Sequence, residues 1–398
     1  MKLRTLKDID VKGKVVLCRV DLNVPMKNGR VEDKTRIVRL VPTLQELIKR
    51  KAKVVVLSHF GRPNGEFVRE MSLAPLTDAL SFALDGKEIN FALDCVGDAA
   101  KEAVAKLNDG DVLLLENLRF HAEEEKNDAK FAEKLASLGD IYVNDTFSCS
   151  HRKHASIVGI AQHLPSVAGL LLQEEIESLE KVLHEPKRPM AAIVGGSKVS
   201  TKLGLLESLL KKVDYLVIGG AMANTFLKAK GFSIGKSLYE EDLVGEAKDI
   251  IKRAEKEGCE IVLPIDVVVA GELKERAECK ILLADKVPTN CMILDLGPLS
   301  VTNIDQKLEK CKTVVWNGPL GAFEYRPFDV ASISLARSIA SLTVSGKITS
   351  VAGGGDVVAA LGVSGLTESF SYISTAGGAF LEWLQGVGLP GVEVLMKN

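Results

Sequence analysis

The chain has 398 residues, of which 46% are hydrophobic and 26% are charged, and its formal net charge at pH 7 is −2. This length predicts two domains of about 150 to 200 residues each. The near-neutral charge argues against a general nucleic-acid binder, because binding a phosphate backbone requires a basic surplus. The amino-terminal MKLRTLKDIDVKGK lacks the apolar region of a signal peptide, and no apolar run approaches the ~18 residues of a membrane span. We therefore expect a cytoplasmic protein with no nucleic-acid or membrane partner.

The seven cysteines form no C-x-x-C pair, so no zinc site is visible in the sequence. They are interpreted as reduced, mostly buried thiols of a cytoplasmic protein. They are Cys18, Cys95, Cys149, Cys259, Cys279, Cys291 and Cys311.

Short apolar runs alternate with amphipathic stretches through the first half of the chain. Strands are predicted at 15–18, 54–57, 91–93, 112–115 and 141–143, and helices at 35–51, 99–107 and 129–138. The strands are continuously apolar, which is typical of parallel strands that are covered on both faces. Pro42 is expected to kink or divide the first helix.

The same rhythm restarts in the second half of the chain. Strands are predicted there at 191–194, 215–218, 261–263, 313–316 and 348–351. Between the halves, residues 166–184 have apolar positions at helical spacing, with Ser166 as the predicted N-cap and prolines at 186 and 189 ending the helix. The pattern predicts an α/β protein with two doubly wound parallel sheets joined by a long helix.

Polar side chains follow four of the five strands predicted in the first half. They are Arg19, Asp21, Asn23, His59, Arg62, Arg119 and Arg152. Each loop alone is explained by ordinary surface charge, but ligands of open α/β sheets bind at the carboxyl ends of the strands. Together the loops predict a pocket for a small, multiply anionic ligand, because arginine binds phosphate and carboxylate bidentately. His151 and His154 suggest a metal pair, but without a third ligand nearby we favour anion contact or a structural use.

Glycine-rich loops follow the strands of the second half. Lys198 and Lys202 are four residues apart and are predicted on one face at the start of a helix, beside Gly196. Residues 353–355 are three glycines before Asp356, which indicates either a phosphate cradle or a tight turn in which Asp356 caps the next helix. The chain has neither G-x-G-x-x-G nor G-K-[ST] at this turn, which excludes a Rossmann fingerprint and a Walker A loop.

These loops resemble the motifs of one enzyme family. RVDLNVP at 19–25, SHFGRP at 58–63, ENLRFH at 116–121, GGSKVSTK at 195–202, WNGPLGAFE at 316–324 and GGGD at 353–356 are similar, in order and along essentially the whole chain, to those of phosphoglycerate kinase. The resemblance implies two Rossmann-like domains facing each other across a cleft. It implies an N-terminal domain at 1–165 for 3-phosphoglycerate or 1,3-bisphosphoglycerate, a connecting helix at 166–185, and a C-terminal domain at 186–378 for ATP or ADP with Mg²⁺. Residues 379–398 would pack back on the first domain, and the enzyme would be a monomer of glycolysis.

The resemblance also implies the site residues. The triose site would consist of Asp21, Asn23, Arg36, His59, Arg62, Arg119 and Arg152. The nucleotide site would consist of Gly196, Lys198, Lys202, Gly220, Asn317, Glu324, Gly353, Gly354, Gly355, Asp356 and Val357. Asp356 would hold the magnesium ion, and Arg36, Lys198, Gly354 and Gly355 would lie at the phosphoryl group in transfer. Asn317 and Glu324 would contact the nucleoside.

The chain departs from the family pattern at a few positions. Ser148-Cys149-Ser150 stands in place of Gly-Thr-Ala, and Val357 replaces the usual threonine or serine after GGGD. Ala376 and Phe380 replace a glycine and a serine near the C-terminus. We expect Cys149 to be partly exposed, so that its modification weakens triose binding; an inert buried thiol is the alternative.

The expected chemistry agrees with this set of residues. A substrate carboxylate is already ionised at pH 7, so its attack on a phosphoryl group requires cations and positioning rather than a general base. Because the site residues are divided between the halves, we expect the halves to close during catalysis. The alternatives are another acyl-phosphate-forming kinase with a carboxylate acceptor, and a non-catalytic two-lobed protein that closes on an anion. An oxidoreductase is disfavoured for want of the dinucleotide fingerprint.

Overall fold

A computed structural model describes residues 2–27, 29–183, 186–374 and 376–397 of the chain. The backbone divides into two compact units, of which the first takes the chain up to Glu177 together with the residues from Gly388 onward. The second unit runs from Ser178 to Val387.

The first unit contains eight strands and the following helices among its described residues. Its strands are β1 (Val15–Arg19), β2 (Met26–Lys27), β3 (Arg30–Val31), β4 (Lys53–Leu57), β5 (Ile89–Ala92), β6 (Val112–Leu115), β7 (Ile141–Asn144) and β8 (Ser166–Ala168). Its helices are α1 (Thr35–Lys49), α2 (Leu76–Ala83), α3 (Gly97–Ala105), α4 (Ala122–Glu125), α5 (Ala129–Ala136) and the beginning of α6 (Leu170–Leu183).

Six of these strands form a wholly parallel sheet in the order β5-β6-β4-β1-β7-β8, while β2 and β3 form a small antiparallel hairpin. Alternate residues of β1 pack into the hydrophobic cores on opposite faces of the sheet. Val16 and Cys18 pack with Ile37 of α1 on one face, whereas Leu17 packs with Phe131 of α5 on the other. The doubly wound parallel sheet predicted from continuous apolar runs is therefore confirmed.

The second unit repeats this architecture and adds a small sheet. Its strands are β9 (Met190–Val194), β10 (Tyr215–Ile218), β11 (Glu260–Val262), β12 (Asp266–Ala270), β13 (Cys279–Leu283), β14 (Met292–Leu296), β15 (Thr313–Asn317), β16 (Thr349–Gly353) and β17 (Tyr372–Ser374). Its helices are α7 (Leu203–Leu210), α8 (Gly220–Ala229), α9 (Val244–Glu257), α10 (Pro298–Leu308), α11 (Val330–Val344), α12 (Gly355–Ser364) and α13 (Gly377–Gln385).

The main sheet of the second unit is parallel, in the order β11-β10-β9-β15-β16-β17. An antiparallel sheet, β13-β12-β14, was not predicted from the sequence. The chain then returns to the first unit, where α14 (Pro390–Glu393) packs near β7, with the side chain of Asn144 donating to the carbonyl of Gly391 at 3.0 Å. Of the return segment predicted at 379–398, residues 379–387 belong to the second unit instead, because α13 packs against α7.

One prediction about the helices is wrong. Ser166 does not cap the long helix, because residues 166–168 pair with β7 as strand β8. The helix starts at Leu170, and the carboxylate of Asp145 accepts the N–H groups of Leu171 and Leu172 there. The predicted helix end at 184 and 185 lies outside the described residues, and the boundary between the units falls inside α6, at Glu177.

Pro42 was expected to kink or divide the first helix, and it does not divide it, because α1 runs through Pro42 as one element. Proline removes the hydrogen bond to the carbonyl four residues earlier. That residue is Val38, which is 58% exposed, so Pro42 lies one turn after a solvent-exposed position of the helix. Among the described helices, none is both long and apolar enough to cross a membrane.

Candidate active site

The predicted anion-binding residues of the first unit lie around the carboxyl ends of its parallel strands. Asp21 and Asn23 follow β1, His59 and Arg62 follow β4, Arg119 follows β6, Arg152 follows β7, and Arg36 lies in the first turn of α1. Because parallel strands end at the same edge of a sheet, the topology brings these loops together.

Arg36 and Asp21 form the centre of this group. Arg36 Nη1 lies 3.1 Å from Asp21 Oδ2 and donates to the carbonyl of Asn23 at 2.7 Å. The hydroxyl of Ser148 also donates to Asp21 Oδ2, at 2.6 Å. Burial would raise the pKa of Asp21, but the charge of Arg36 and the hydrogen bonds from Ser148 and Asn23 outweigh it and hold the pKa below its ordinary value. Asp21 is therefore an ionised acceptor beside a cation.

A chain of hydrogen bonds joins three of the loops. The side-chain oxygen of Asn23 accepts the N–H of Gly61 at 3.0 Å, and the carbonyl of Gly61 accepts Nη1 of Arg119 at 2.7 Å. Arg119 is 4% exposed and its Nε lies 3.2 Å from Glu125 Oε1. The loops after β1, β4 and β6 are thus fixed relative to one another.

Asn117 is a bracing residue that the sequence analysis did not single out. Its side chain accepts the N–H of Phe60 at 3.1 Å and donates to the carbonyl of Phe60 at 2.8 Å. The amide thus makes the two hydrogen bonds that the backbone of a neighbouring strand would make. It also donates to the carbonyl of Met71 at 2.9 Å. Its place inside ENLRFH was the signal that could have identified it.

Arg19 was among the polar side chains predicted at the strand ends, but it is not one of the site residues that the resemblance implies. It is 1% exposed, and its Nη2 lies 3.1 Å from Nδ1 of His59 while its Nε donates to the hydroxyl of Ser156 at 2.9 Å. Arginine has donors only, so Nδ1 of His59 accepts and the ring proton is carried on Nε2. Burial and the charge of Arg19 lower the pKa of His59 to about 3, so the ring is neutral at pH 7.

His154 has a structural position rather than a place in a metal pair with His151. It is 8% exposed, and its Nδ1 lies 3.8 Å from Glu124, which also accepts the N–H and the hydroxyl of Ser156 at 2.9 and 2.6 Å. Burial and nearby arginines lower the pKa of His154 to about 3. His151 instead accepts a hydrogen bond from Arg152 Nε at 3.2 Å. The interpretation of His154 as a structural residue is the one that the contacts favour.

The remaining predicted residues of this unit are placed less tightly. Arg62 is exposed and Arg152 is half-buried, and in the described ranges neither hydrogen-bonds to Asp21, Asn23 or Arg36. Both lie on the loops at the same sheet edge, where their guanidinium groups remain accessible to a ligand.

The expectation that Cys149 is partly exposed is wrong. It is 5% exposed, and its Sγ lies 4.0 Å from His59 Nδ1 and 3.8 Å from the Ser148 hydroxyl. The 3₁₀ turn Phe147–Cys149 directs the serine toward Asp21 and packs the thiol inside. The departure from Gly-Thr-Ala therefore adds a hydroxyl contact to Asp21.

In the second unit, glycine loops approach each other too closely for side chains. A Cβ on Gly220 would lie 2.6 Å from the carbonyl oxygen of Gly196, and one on Gly195 would overlap the carbonyl of Pro319. Gly220 also has a φ of +65°, a conformation that other residues rarely adopt. The loops after β9, β10 and β15 therefore form a surface of bare backbone.

Lys198 and Lys202 do not lie on one face of a helix, as the sequence analysis predicted. Helix α7 begins at Leu203, so both lysines precede it, and Lys198 is exposed. Lys202 turns inward, where Nζ donates to the carbonyl of Gly195 and, at 2.6 Å, to Oδ1 of Asn317. Burial lowers the pKa of Lys202 to about 8, while the charge of Asp356 opposes that shift.

Asn317 connects the glycine loops of the second unit. It is 3% exposed, and besides accepting from Lys202 it donates from Nδ2 to the carbonyl of Gly353 at 2.7 Å. It thereby joins the loop after β15 to the triple-glycine turn. Both ends of its amide already have partners within the protein.

The triple-glycine turn leads from β16 into α12. Strand β16 ends at Gly353 and the helix starts at Gly355, with Gly354 as the N-cap at a φ of +106°. Asp356 is exposed in the first turn and is not the cap, so that alternative is excluded. Val357 is 1% exposed in the apolar core, which explains an aliphatic residue at this position. The turn presents backbone N–H groups that have no partner within the helix.

A cavity of about 330 Å³ adjoins these loops within the second unit. It is lined by the backbone of Gly196 and Gly220, by aliphatic side chains such as Leu238 and Leu320, and by the carboxylates of Glu324 and Asp356. A mostly apolar cavity with loops of bare glycine backbone at its edge is suited to a nucleotide.

The fold and the loops together define an α/β protein with arginine-rich and glycine-rich loops at the strand ends of its two units, a combination that suits phosphorylated ligands. The sequence profile of the phosphoglycerate kinase family matches residues 6–387. The chain is 56% identical over 399 residues to a phosphoglycerate kinase of Rhizobium meliloti, covering 100% of both chains. It is 57% identical over 393 residues to one of Methylobacterium radiotolerans, covering 98% of each.

Solved structures agree with the sequence relatives. The phosphoglycerate kinase of Coxiella burnetii superposes with a TM-score of 0.90 at 42% identity, covering 99% of this chain and 98% of that one. The enzyme of Pyrococcus horikoshii superposes with a TM-score of 0.85 at 32% identity over the same shares. The chain belongs to the phosphoglycerate kinase family. It is accordingly a phosphotransferase of glycolysis with a carboxyl group as acceptor, and the resemblance seen in its motifs is confirmed.

Proposed function

We propose that the loops of the first unit bind 3-phosphoglycerate or 1,3-bisphosphoglycerate through Asp21, Asn23, Arg36, His59, Arg62, Arg119 and Arg152. The glycine loops of the second unit bind ATP or ADP. Phosphoryl transfer between these ligands is reversible, because the acyl phosphate and ATP are both activated phosphates.

One observation carries this proposal most directly. Arg36, Asp21, Asn23, Gly61 and Arg119 are joined in one hydrogen-bonded series across three strand ends. It combines cations, which suit phosphate and carboxylate groups, with an ionised carboxylate, which suits a substrate hydroxyl. A site for a phosphate alone would have no use for the carboxylate of Asp21.

The reaction in the ATP-consuming direction begins with a substrate carboxylate that is already ionised at pH 7. The site therefore does not need a general base, and the low pKa values of His59 and His154 suit neutral hydrogen-bonding groups rather than groups that titrate during turnover. Arg36 and Lys198 supply positive charge to the phosphoryl group in transfer. The backbone N–H groups of Gly354 and Gly355 add oriented donors.

The same proposal includes a magnesium ion bound with the nucleotide. Asp356 provides an exposed carboxylate at the end of the glycine turn, and the hydroxyl of Ser197 and the carboxylate of Glu324 line the same cavity. Oxygen donors of this kind fit Mg²⁺. When bound, the ion would neutralise phosphate charge, and Asp356 would hold it beside the glycine turn.

Gly196, Gly220, Gly353 and Val357 would contact the nucleotide through the backbone, and Glu324 would face the nucleoside. Lys202 and Asn317 would act largely by holding these loops in place. We further propose a cytoplasmic monomer whose two halves close during catalysis. The division of the site residues between the two units supports the closure.

A coupled assay with purified enzyme, 3-phosphoglycerate and magnesium-ATP tests the function. We expect ADP formation that requires both substrates. Acetate and other simple carboxylates serve as controls for another acyl-phosphate-forming kinase and should support no turnover. Equal rates with acetate would contradict the proposed triose site, and tight ligand binding without turnover would favour the non-catalytic alternative.

A further inference from the structure

A second cluster of metal-binding side chains lies at the edge of the first sheet. Asp94 and Cys95 follow β5, and His121 follows β6, which is paired in parallel with β5. His121 belongs to the ENLRFH segment, yet the proposed reaction does not use it. The sequence shows no zinc pattern because His121 is far from the other two residues along the chain.

The three side chains provide one nitrogen, one sulfur and one oxygen ligand in one place. Their ligand atoms all lie within 4.8 Å of one another, and His121 Nε2 lies 2.8 Å from Asp94 Oδ1. Bonds to zinc are about 2.0–2.3 Å long, so ligands of one ion lie about 3–4 Å apart. Small side-chain shifts are therefore enough to surround an ion.

The surroundings hold the ligands in place and leave an entrance. Cys95 is fully buried, and its N–H donates to Asp94 Oδ1 at 2.6 Å. The ring of His121 packs on Phe131 at a centroid distance of 5.1 Å. The side chains of His121 and Asp94 are 29% and 43% exposed, so an ion can reach the thiol from their side.

We propose that Asp94, Cys95 and His121 bind one divalent transition-metal ion of the zinc type. Thiolate and imidazole ligands select such ions over magnesium, which prefers oxygen ligands only. Binding replaces the hydrogen bond between His121 and Asp94 with two bonds to the metal. The thiol proton of Cys95 is released to solvent as the sulfur–metal bond forms, and water fills the remaining coordination position.

The test uses the full-length, tag-free protein after treatment with a chelator. Cobalt(II) is titrated in the presence of excess Mg²⁺, which occupies the oxygen sites, and zinc is then added as a competitor. We expect a thiolate-to-cobalt charge-transfer band in the near ultraviolet that saturates at one equivalent and disappears when zinc is added. The absence of such a band would overturn the proposal.

Variants assign the band to this cluster. Cys95→Ser should abolish it, and Cys291→Ser, which removes a more accessible thiol, should leave it unchanged. His121→Asn and Asp94→Asn change partly exposed residues, so both should fold, and each should weaken cobalt binding by about 10–100-fold or more. The proposal would be contradicted if the band survived Cys95→Ser, or if both other variants bound cobalt with wild-type affinity. Either result would show adventitious binding elsewhere.

Discussion

Arg19 donates a hydrogen bond to Nδ1 of His59 across 3.1 Å, and both side chains are buried beneath the strand-end loops of the first unit. A guanidinium group cannot accept, so this contact selects the His59 tautomer that carries its proton on Nε2. A neutral imidazole of this kind donates to an anionic ligand without adding a charge that changes near pH 7. The positive charge at the loops is left to the arginines.

The first prediction concerns the protonation of His59. Nitrogen-15 NMR should show an unprotonated Nδ1 and a protonated Nε2 from pH 8 to pH 5, because burial and Arg19 lower the pKa to about 3. A His59→Gln variant assigns the signals. Titration of this ring near pH 6.5, or a proton on Nδ1, would contradict the tautomer.

The second prediction concerns the stability of the first unit in acid. The folded-state pKa of His154 is lowered from 6.5 to about 3, so between these values the unfolded chain binds a proton that the folded chain does not. The free energy of unfolding should therefore fall as the pH falls below about 6.5, by up to about 1.4 kcal/mol per pH unit for this residue.

His154→Gln should remove this part of the pH dependence, whereas His163→Gln, at an exposed position, should not. Both tryptophans, Trp316 and Trp383, lie in the second unit, so their fluorescence does not report on the first unit. Urea unfolding is therefore followed by circular dichroism. Identical slopes between pH 5.5 and pH 4 for the wild type and His154→Gln would refute the assignment.

The third prediction separates the two lysines of the nucleotide loops. Lys202→Met leaves Oδ1 of Asn317 and the carbonyl of Gly195 without their donor, which should cost about 1–3 kcal/mol of unfolding free energy. Lys198→Met changes an exposed side chain and should stay within about 0.5 kcal/mol. Tryptophan fluorescence reports the unfolding of this unit. Equal losses of stability in both variants would disprove the bracing role of Lys202.

The fourth prediction concerns Asp356. Because Gly354 rather than Asp356 is the N-cap of α12, Asp356→Ala should fold normally and still lose most of its turnover. Loss of the carboxylate should also lower the pKa of Lys202 further, since Asp356 raises it in the wild type. The check is kcat at ordinary magnesium concentration together with circular dichroism. Turnover near that of the wild type would rule out the assigned metal contact.

The parallel strands could be predicted because their continuous apolar runs are a local property of the sequence, and runs such as 15–18 and 54–57 are strands of the parallel sheet. Strand β8 was missed because residues 166–168 are recognisable as a strand only through pairing with β7. The same holds for the antiparallel sheet around β12, whose partners are defined by distant residues.

The motifs predicted candidate site residues, but the directions in which their side chains point could not be predicted from the motifs. Lys198 and Lys202 are alike in the sequence, whereas the start of α7 at Leu203 turns one inward and leaves the other exposed. Arg19 and His59 are 40 residues apart, and their contact arises only where β1 and β4 end side by side. Such contacts follow from the register of the sheet, which the sequence analysis did not determine.

Arg36→Ala tests most directly the central claim that residues of both units serve one phosphoryl transfer. Arg36 lies in the first unit, while the glycine loops, Lys198 and Asp356 lie in the second. Loss of one transition-state cation should reduce kcat about a hundredfold or more, equivalent to roughly 3 kcal/mol. The decisive measurement is kcat of Arg36→Ala beside its Kd for ATP alone. We predict a collapse of kcat with a change in Kd of less than about threefold; a strong loss of ATP affinity without triose, or an unchanged kcat, would contradict the account.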